Sequence, residues 1–328
     1  MTPTLTNSTK SPMRILVTGA GGFVGDALCR RLSASGYDVV GIFREQQAAR
    51  DWMEARAIGD LTQVRDFSSV VDGMDVVIHL AARVHMMRET ATDPDIAFRQ
   101  ANRDVTQRLA QAAAEAGVAR FVFLSSVKVN GEKTSGVAFS EHDPPAPEDA
   151  YGRSKRDAED ALQKIAATTK MTITTLRVPL VYGPSVRANF AALLRICDTF
   201  LPLPLDGITN NRRSLLFLGN LTHAIEAVIS AAAAGGGTFL LSDGEDMSTA
   251  ELVGHLRYSL NRHAPRLVIP ASVLESMAAL VGKQAAAQRL CGSLQVDSTA
   301  FRQAFGWIPP FSPAQGIAAT AAAHCATR

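Results

Sequence analysis

Tyr151 and Lys155 stand four residues apart in Tyr-Gly-Arg-Ser-Lys, near the start of a stretch with helical spacing. On a helix that spacing sets both side chains on one face. A phenol has an unperturbed pKa of about 10 and exchanges protons poorly at neutral pH. An ammonium beside it stabilises the phenolate and lowers that value, so the pair can serve as general acid or base on a carbonyl or hydroxyl. Ser126, 25 residues earlier, closes an apolar run. Its hydroxyl can hydrogen-bond the reacting oxygen and polarise it, with Ser125 as the second candidate. Taken alone, Tyr-x-x-x-Lys fits a surface helix equally well, and its meaning depends on its surroundings.

Those surroundings hold a phosphate-binding turn. Thr18-Gly-Ala-Gly-Gly-Phe-Val-Gly25 joins the apolar run Arg14–Thr18 to a helical pattern of Phe23, Val24, Ala27, Leu28 and Leu32, closed by Gly36. Gly19 permits the tight turn, Gly22 lets backbone approach a pyrophosphate, and Gly25 lets helix pack on strand. Phe23 and Val24 open the helix, whose N–H groups and positive dipole end face the phosphates. Gly59-Asp60-Leu61 follows another short strand, where the carboxylate can accept from an adenine amino group. His79-Leu80-Ala81-Ala82 ends the strand Asp75–Leu80 with small residues that let a dinucleotide lie against the strand's carboxyl edge. An NAD enzyme usually carries Asp or Glu at the end of its second strand. Here the strand Val39–Phe43 ends in Phe43-Arg44. Arg44, helped by Arg50, can pair with a 2′-phosphate, so the reading favours NADP(H) while leaving NAD(H) open.

The elements that must hold these groups follow from the same patterns. Strand-like runs at Arg120–Ser125 and Met171–Arg177 alternate with helices over about Pro94–Ala116, ended by Gly117, and about Asp149–Ala167. Apolar strands alternating with helices predict a doubly wound parallel sheet, buried on both faces. The predicted class is α/β: a Rossmann domain over 13–178, preceded by a flexible tail at 1–12. A smaller C-terminal α/β substrate-binding lobe is expected over 179–328, with some segments returning to the Rossmann domain. Within it, 231–237 reads as a helix end and loop. With 33 basic and 31 acidic residues the net charge is +2, which gives no global attraction to nucleic acid or to an anionic membrane. Cys29, Cys197, Cys291 and Cys325 show no paired spacing. Reduced thiols, with neither disulfides nor a metal site, are the expectation. No apolar run matches a membrane span, and the first twelve residues lack a signal-peptide core, which points to the cytoplasm.

Thr18–Gly25, His79–Ala82, Ser125-Ser126, Tyr151/Lys155 and Arg177-Val-Pro-Leu-Val-Tyr-Gly-Pro184 together resemble the extended short-chain dehydrogenase/reductase superfamily over about residues 13 to 320. Within it the chain is similar to the nucleotide-sugar branch of epimerases, dehydratases and 4-ketoreductases. Asn102 matches that family's helix asparagine, and Phe305-Gly-Trp-Ile-Pro309, preceded by Asp297, its usual ending. The resemblance implies Ser126, Tyr151 and Lys155 as the catalytic set. Asn102 and Pro179 join Tyr151, Lys155 and the glycine loop at the cofactor. A UDP-sugar is the implied substrate, with Asn189-Phe190 and an arginine at its diphosphate. Arg213 matches, although Arg212 beside it leaves the choice open, and Asn220 stands where the family has an acid. Dehydratases carry Asp-Glu after the catalytic Ser/Thr; Val127-Lys128 stand there, which disfavours loss of water. Lys128 is either a substrate contact or a loop lysine. The run Ser125–Gly131 resembles bacterial surface-polysaccharide enzymes that reduce a UDP-4-keto-6-deoxy-N-acetylhexosamine. That reductase reading comes first; a UDP-hexose 4-epimerase with tightly bound NAD is the alternative. A regulator without catalysis should have lost Tyr151 or Lys155, and a sterol-type reductase should lack Asn189 and Arg213. The family further implies a homodimer formed through the helix that carries Tyr151.

Overall fold

The first apolar run forms β1 (Arg14–Thr18), and the glycine turn leads into α1 (Phe23–Ala34). Gly36, at φ +86°, follows its C-cap. The computed structural model describes residues 12–47, 50–84, 93–231, 235–265, 267–280, 282 and 284–327. The expected tail therefore lies, apart from Pro12, outside the described residues. The chain continues through β2 (Asp38–Phe43), β3 (Glu54–Ala57), α2 (Ser68–Val71), β4 (Val76–His79) and α3 (Pro94–Phe98). The single long helix expected to start at Pro94 is instead α3 and α4 (Val105–Glu115) joined by one wide π-helical segment, Arg99–Asp104. Next come β5 (Arg120–Ser126), α5 (Ala150–Thr168) and β6 (Thr172–Val178).

These strands form a parallel sheet in the order β3-β2-β1-β4-β5-β6, the doubly wound arrangement expected from the sequence. The order reverses between β1 and β4, where ligands bind in such sheets. Both faces are covered. On one, Leu28, Cys29 and Leu32 of α1 pack with Leu221, Ile225 and Val228; on the other, Val105, Leu109 and Ala113 of α4 pack with Ala158, Leu162 and Ile165 of α5.

Past Pro179 the chain builds β7 (Leu180–Tyr182), α6 (Ala188–Cys197), β8 (Leu215–Phe217), α7 (Leu218–Ser230) and β9 (Gly237–Leu240). It closes with α8 (Thr249–Ser259), α9 (Ala271–Leu280), α10 (Gln284–Cys291), α11 (Thr299–Phe305) and α12 (Pro313–Ala326). β7 and β8 pair in a small parallel sheet of their own, over a core of Tyr182, Phe190, Leu194, Phe217, Val253 and Ile317. β9 instead extends the large sheet beside β6, and α7 supplies the helix face packed on α1. Phe239 of β9 packs edge-on against Phe301 and Phe305, and Phe301 lies edge-on to Trp307.

Candidate active site

The glycine turn has the close approaches that its spacing predicts. Gly19 sits at φ +72°, and a Cβ there would meet the Ala81 backbone nitrogen at 2.9 Å. A Cβ at Gly25 would run into the Gly19 carbonyl oxygen and lie 2.8 Å from the Ala20 Cα. Gly22 caps α1 with extended backbone and no side-chain acceptor. The first-turn N–H groups of Phe23 and Val24 thus keep their donor capacity for a ligand. This uncapped turn, pressed against the ends of β1 and β4, fits the pyrophosphate of a dinucleotide. Leu80, Ala81 and Ala82 lie beyond β4, half-buried, at the same edge. Arg44 projects from the end of β2 with 75% of its side chain exposed, 3.8 Å from Asp60. Asp60 accepts from the backbone and hydroxyl of Thr62, and these hydrogen bonds hold its carboxyl below the usual range. Leu61 packs against the core under α4. Arg50 pairs with Asp26 of α1 at 3.0 Å and lies over the Phe43 ring.

Tyr151, Lys155 and Ser126 come together where β5 ends and α5 begins. Asp149 fixes this start: it caps α5 by accepting from Gly152 N at 2.7 Å and receives Lys128 Nζ at 2.6 Å. Lys128 also binds Glu132 at 2.7 Å. Its charge is thereby paired at the N-cap of α5. Burial pushes the Tyr151 phenol up to about 12, while its hydrogen bond with Ser126 pulls the other way. Burial likewise drives the Lys155 ammonium down to about 7, opposed by Glu159. In this arrangement burial outweighs the Ser126 hydrogen bond on the Tyr151 phenol. Lys155 Nζ donates to the Leu124 carbonyl at 2.8 Å and sits over the Phe123 ring, 6.0 Å from the centre of the Tyr151 ring.

Ser125 does not face the cleft. Adjacent strand residues point to opposite faces, and its hydroxyl donates to Glu159 at 2.5 Å. Glu159 in turn holds Arg177 in a buried pair, Nη2 to Oε2 at 2.6 Å, and Arg177 reaches Asn130. Asn102 is also turned inward. Its carboxamide accepts from Arg83 N, and donates to the Arg83 carbonyl and to Ser154 Oγ. Its amide thus ties Arg83, just beyond the small residues after β4, to Ser154 of α5. Pro179 interrupts the chain between β6 and β7, at the carboxyl edge of the sheet.

On the lobe side, Asn189 is exposed in the first turn of α6. Arg213 is half-buried, its backbone paired with Met247 and its Nη1 bound to the Gly292 carbonyl at 3.0 Å. Burial holds its guanidinium below the ordinary value, with Glu132 pulling back. Arg212 is exposed and lies 3.6 Å from Glu251. Of the two, Arg213 is the recessed cation without a carboxylate ion pair among the described residues. Asn220 is wholly occupied, bonded to Asp243 and to both backbone groups of Phe311. The missing acid at that position thus leaves a structural amide. Sequence reasoning missed Glu159, Asp149 and the partners of His79. The signal for Asp149 was present: an Asp directly before a helical run is an N-cap pattern.

The pattern of the NAD dependent epimerase/dehydratase family matches residues 15–243. The UDP-glucose 4-epimerase of Vibrio cholerae is 38% identical over 319 residues, covering 97% of each chain. An Escherichia coli O157:H7 4-epimerase of N-acetyl-α-D-glucosaminyl-diphospho-undecaprenol is 26% identical over 92% of each. Among solved structures, the fold is similar to UDP-glucuronic acid 4-epimerase from Bacillus cereus, bound to UDP-glucuronic acid and NAD. The TM-score is 0.76 at 23% identity, over 96% of this chain and 100% of that one.

Proposed function

The chain belongs to the NAD dependent epimerase/dehydratase family, and from that premise we propose that it inverts C4 of a UDP-linked hexose through a transient ketone. The observation that carries the reading is the convergence of Ser126, Tyr151 and Lys155 at the sheet edge that the glycine turn occupies. The C4 epimerases among the relatives support it, and they reverse the order suggested by Ser125–Gly131 alone. The bound dinucleotide supplies a hydride acceptor and donor. Gly19, Gly22 and Gly25 admit its pyrophosphate, Phe23 and Val24 offer backbone donors, and Asp60 and Leu61 line the adenosine end. Tyr151 acts here as the phenolate, the form that the Lys155 ammonium and the cationic ring of the oxidised dinucleotide would stabilise; it takes the proton of the 4-hydroxyl as the C4–H bond yields its hydride, and returns it to the ketone oxygen once the opposite face is presented. Ser126 holds that oxygen. Arg213 and Asn189 hold the diphosphate by charge-assisted hydrogen bonds.

A second reading is net reduction of a UDP-4-keto-6-deoxy-N-acetylhexosamine by NADPH. Two observations favour it: Arg44 in place of an acid beyond β2, and a Tyr151 phenol that holds its proton firmly, as a ketone-reducing acid must. The two reactions separate in one experiment. Purified protein is given UDP-glucose or UDP-N-acetylglucosamine without added cofactor, and the 4-keto sugar with NADPH or NADH. Epimer without nicotinamide consumption, lost in Tyr151→Phe, is the expected result. Stoichiometric nicotinamide oxidation with no epimer would overturn it in favour of reduction, and the faster cofactor then tests Arg44.

A further inference from the structure

His79 ends β4 completely buried, between two threonines. Its Nδ1 lies 2.6 Å from Thr18 Oγ1, and its Nε2 lies 3.0 Å from Thr106 Oγ1. The directions of these bonds follow from the neighbours. Thr106 has one hydroxyl proton and donates it to the Asn102 carbonyl. Its oxygen must therefore accept from His79, which places the ring proton on Nε2. On the other side Ala81 N donates to Thr18 Oγ1 at 3.3 Å, and the Thr18 hydroxyl donates to the bare Nδ1. One tautomer satisfies every group.

Each end of this chain meets the site. Thr18 immediately precedes Gly19 and accepts from Ala81 N, and the Ala81 backbone is what Gly19 packs against. Asn102, at the other end, holds Ser154 Oγ at 2.9 Å, and Ser154 donates to the Tyr151 carbonyl at 2.8 Å. The wide π segment that carries Asn102 is the piece that lets one residue reach Arg83 and α5 together. We infer that His79 is a positioning residue which, in its Nε2–H form, ties the dinucleotide turn to the start of the catalytic helix as one hydrogen-bonded unit. The inference rests on the assignment of the glycine turn and Tyr151 made above. Its surroundings demand a neutral ring. Burial takes the imidazole down to about 3, and the Lys155 ammonium across the Phe123 ring adds to that.

The test has one arm without mutation and one with it. Long-range ¹⁵N–¹H correlation on the wild-type protein should show one histidine fixed as Nε2–H and unchanged from pH 5 to 8. A protonated or Nδ1–H ring at that position overturns the inference. Thr106→Val, remote from the glycine turn, should raise the dissociation constants of NADH and NADPH roughly tenfold, as expected for one lost buried hydrogen bond. The thermal midpoint should stay within a few degrees. Thr18→Val should do the same, and the double variant should be no worse than the poorer single one. Unchanged binding in folded Thr106→Val, or additive losses, defeats the coupling while leaving the proposed activity intact. A wild-type protein that neither carries a dinucleotide through purification nor binds added NADH or NADPH defeats the activity and the coupling together.

Discussion

Two arginines in sequence, Arg212 and Arg213, show how much a single position matters. One lies in solvent against Glu251, whereas the other is drawn inward to the Gly292 carbonyl. If Arg213 holds the substrate diphosphate, Arg213→Gln should raise KM for the nucleotide sugar roughly 10- to 100-fold, the range for one charged hydrogen bond. Turnover at saturation and dinucleotide affinity should change little. A steady-state KM within twofold of wild type would move the role elsewhere, and Arg212→Gln serves as the comparison. At the acid, Tyr151→Phe should cut kcat by ~10²–10⁴-fold while titration of NADH fluorescence still shows binding. Loss of binding instead would mean that the phenol holds the cofactor. Neighbouring serines give the complementary lesson. Ser125 and Ser126 are chemically identical in the sequence, and only strand pleat decides that one meets Glu159 and the other Tyr151.

Elements were more legible than side chains. β1, the turn and α1 were readable because a short apolar run, three spaced glycines and a helical pattern have few other uses. Tyr151 and Lys155 were readable because a four-residue spacing survives any helix. The break of the expected helix at Arg99–Asp104 was not, since nothing in the local spacing differs from an ordinary helix; the partners that Asn102 meets there, Arg83 and Ser154, lie far from it in sequence. The partners of His79, and Asp149 as a partner of Lys128, were hidden for the same reason, as they lie far away in sequence. The glycine turn carries a prediction that belongs to the element. In Gly25→Ala the added carbon must displace either the Gly19 carbonyl or the whole of α1. The variant should fold, judged by far-UV circular dichroism, yet fail to bind NADH or NADPH in a fluorescence titration. Affinity within twofold of wild type would show that the helix can retreat without cost.

At the scale of the molecule, buried bases set the acid limb of stability. The His79 value of about 3 lies below its ordinary 6.5, so the unfolded chain binds a proton that the native protein refuses between those pH values. Stability must therefore fall as pH drops through that window, by about 1.4 kcal/mol per unit for one group. Lys155, at about 7 instead of 10.5, contributes in the same sense at higher pH, so stability rises between those values. Urea unfolding of wild type and His79→Gln at pH 6.5, 5.5 and 4.5 should show the steeper acid loss in the wild type. Parallel slopes would remove His79 from the account.

The place of β9 has its own consequence, for synthesis. It lies beside β6 in space, but the whole of β7, α6, β8 and α7 is made between the two strands. A nascent chain that has completed the catalytic helix and β6 therefore emerges with an open sheet edge. Its aromatic cover, Phe301, Phe305 and Trp307, is still unmade. Long-range parallel pairing of this sort is slow and exposes strand edges. Residues translated long after β6 thus complete this side of the sheet, and a chain cut short of Trp307 would carry Ser126, Tyr151 and Lys155 with no sealed core behind them.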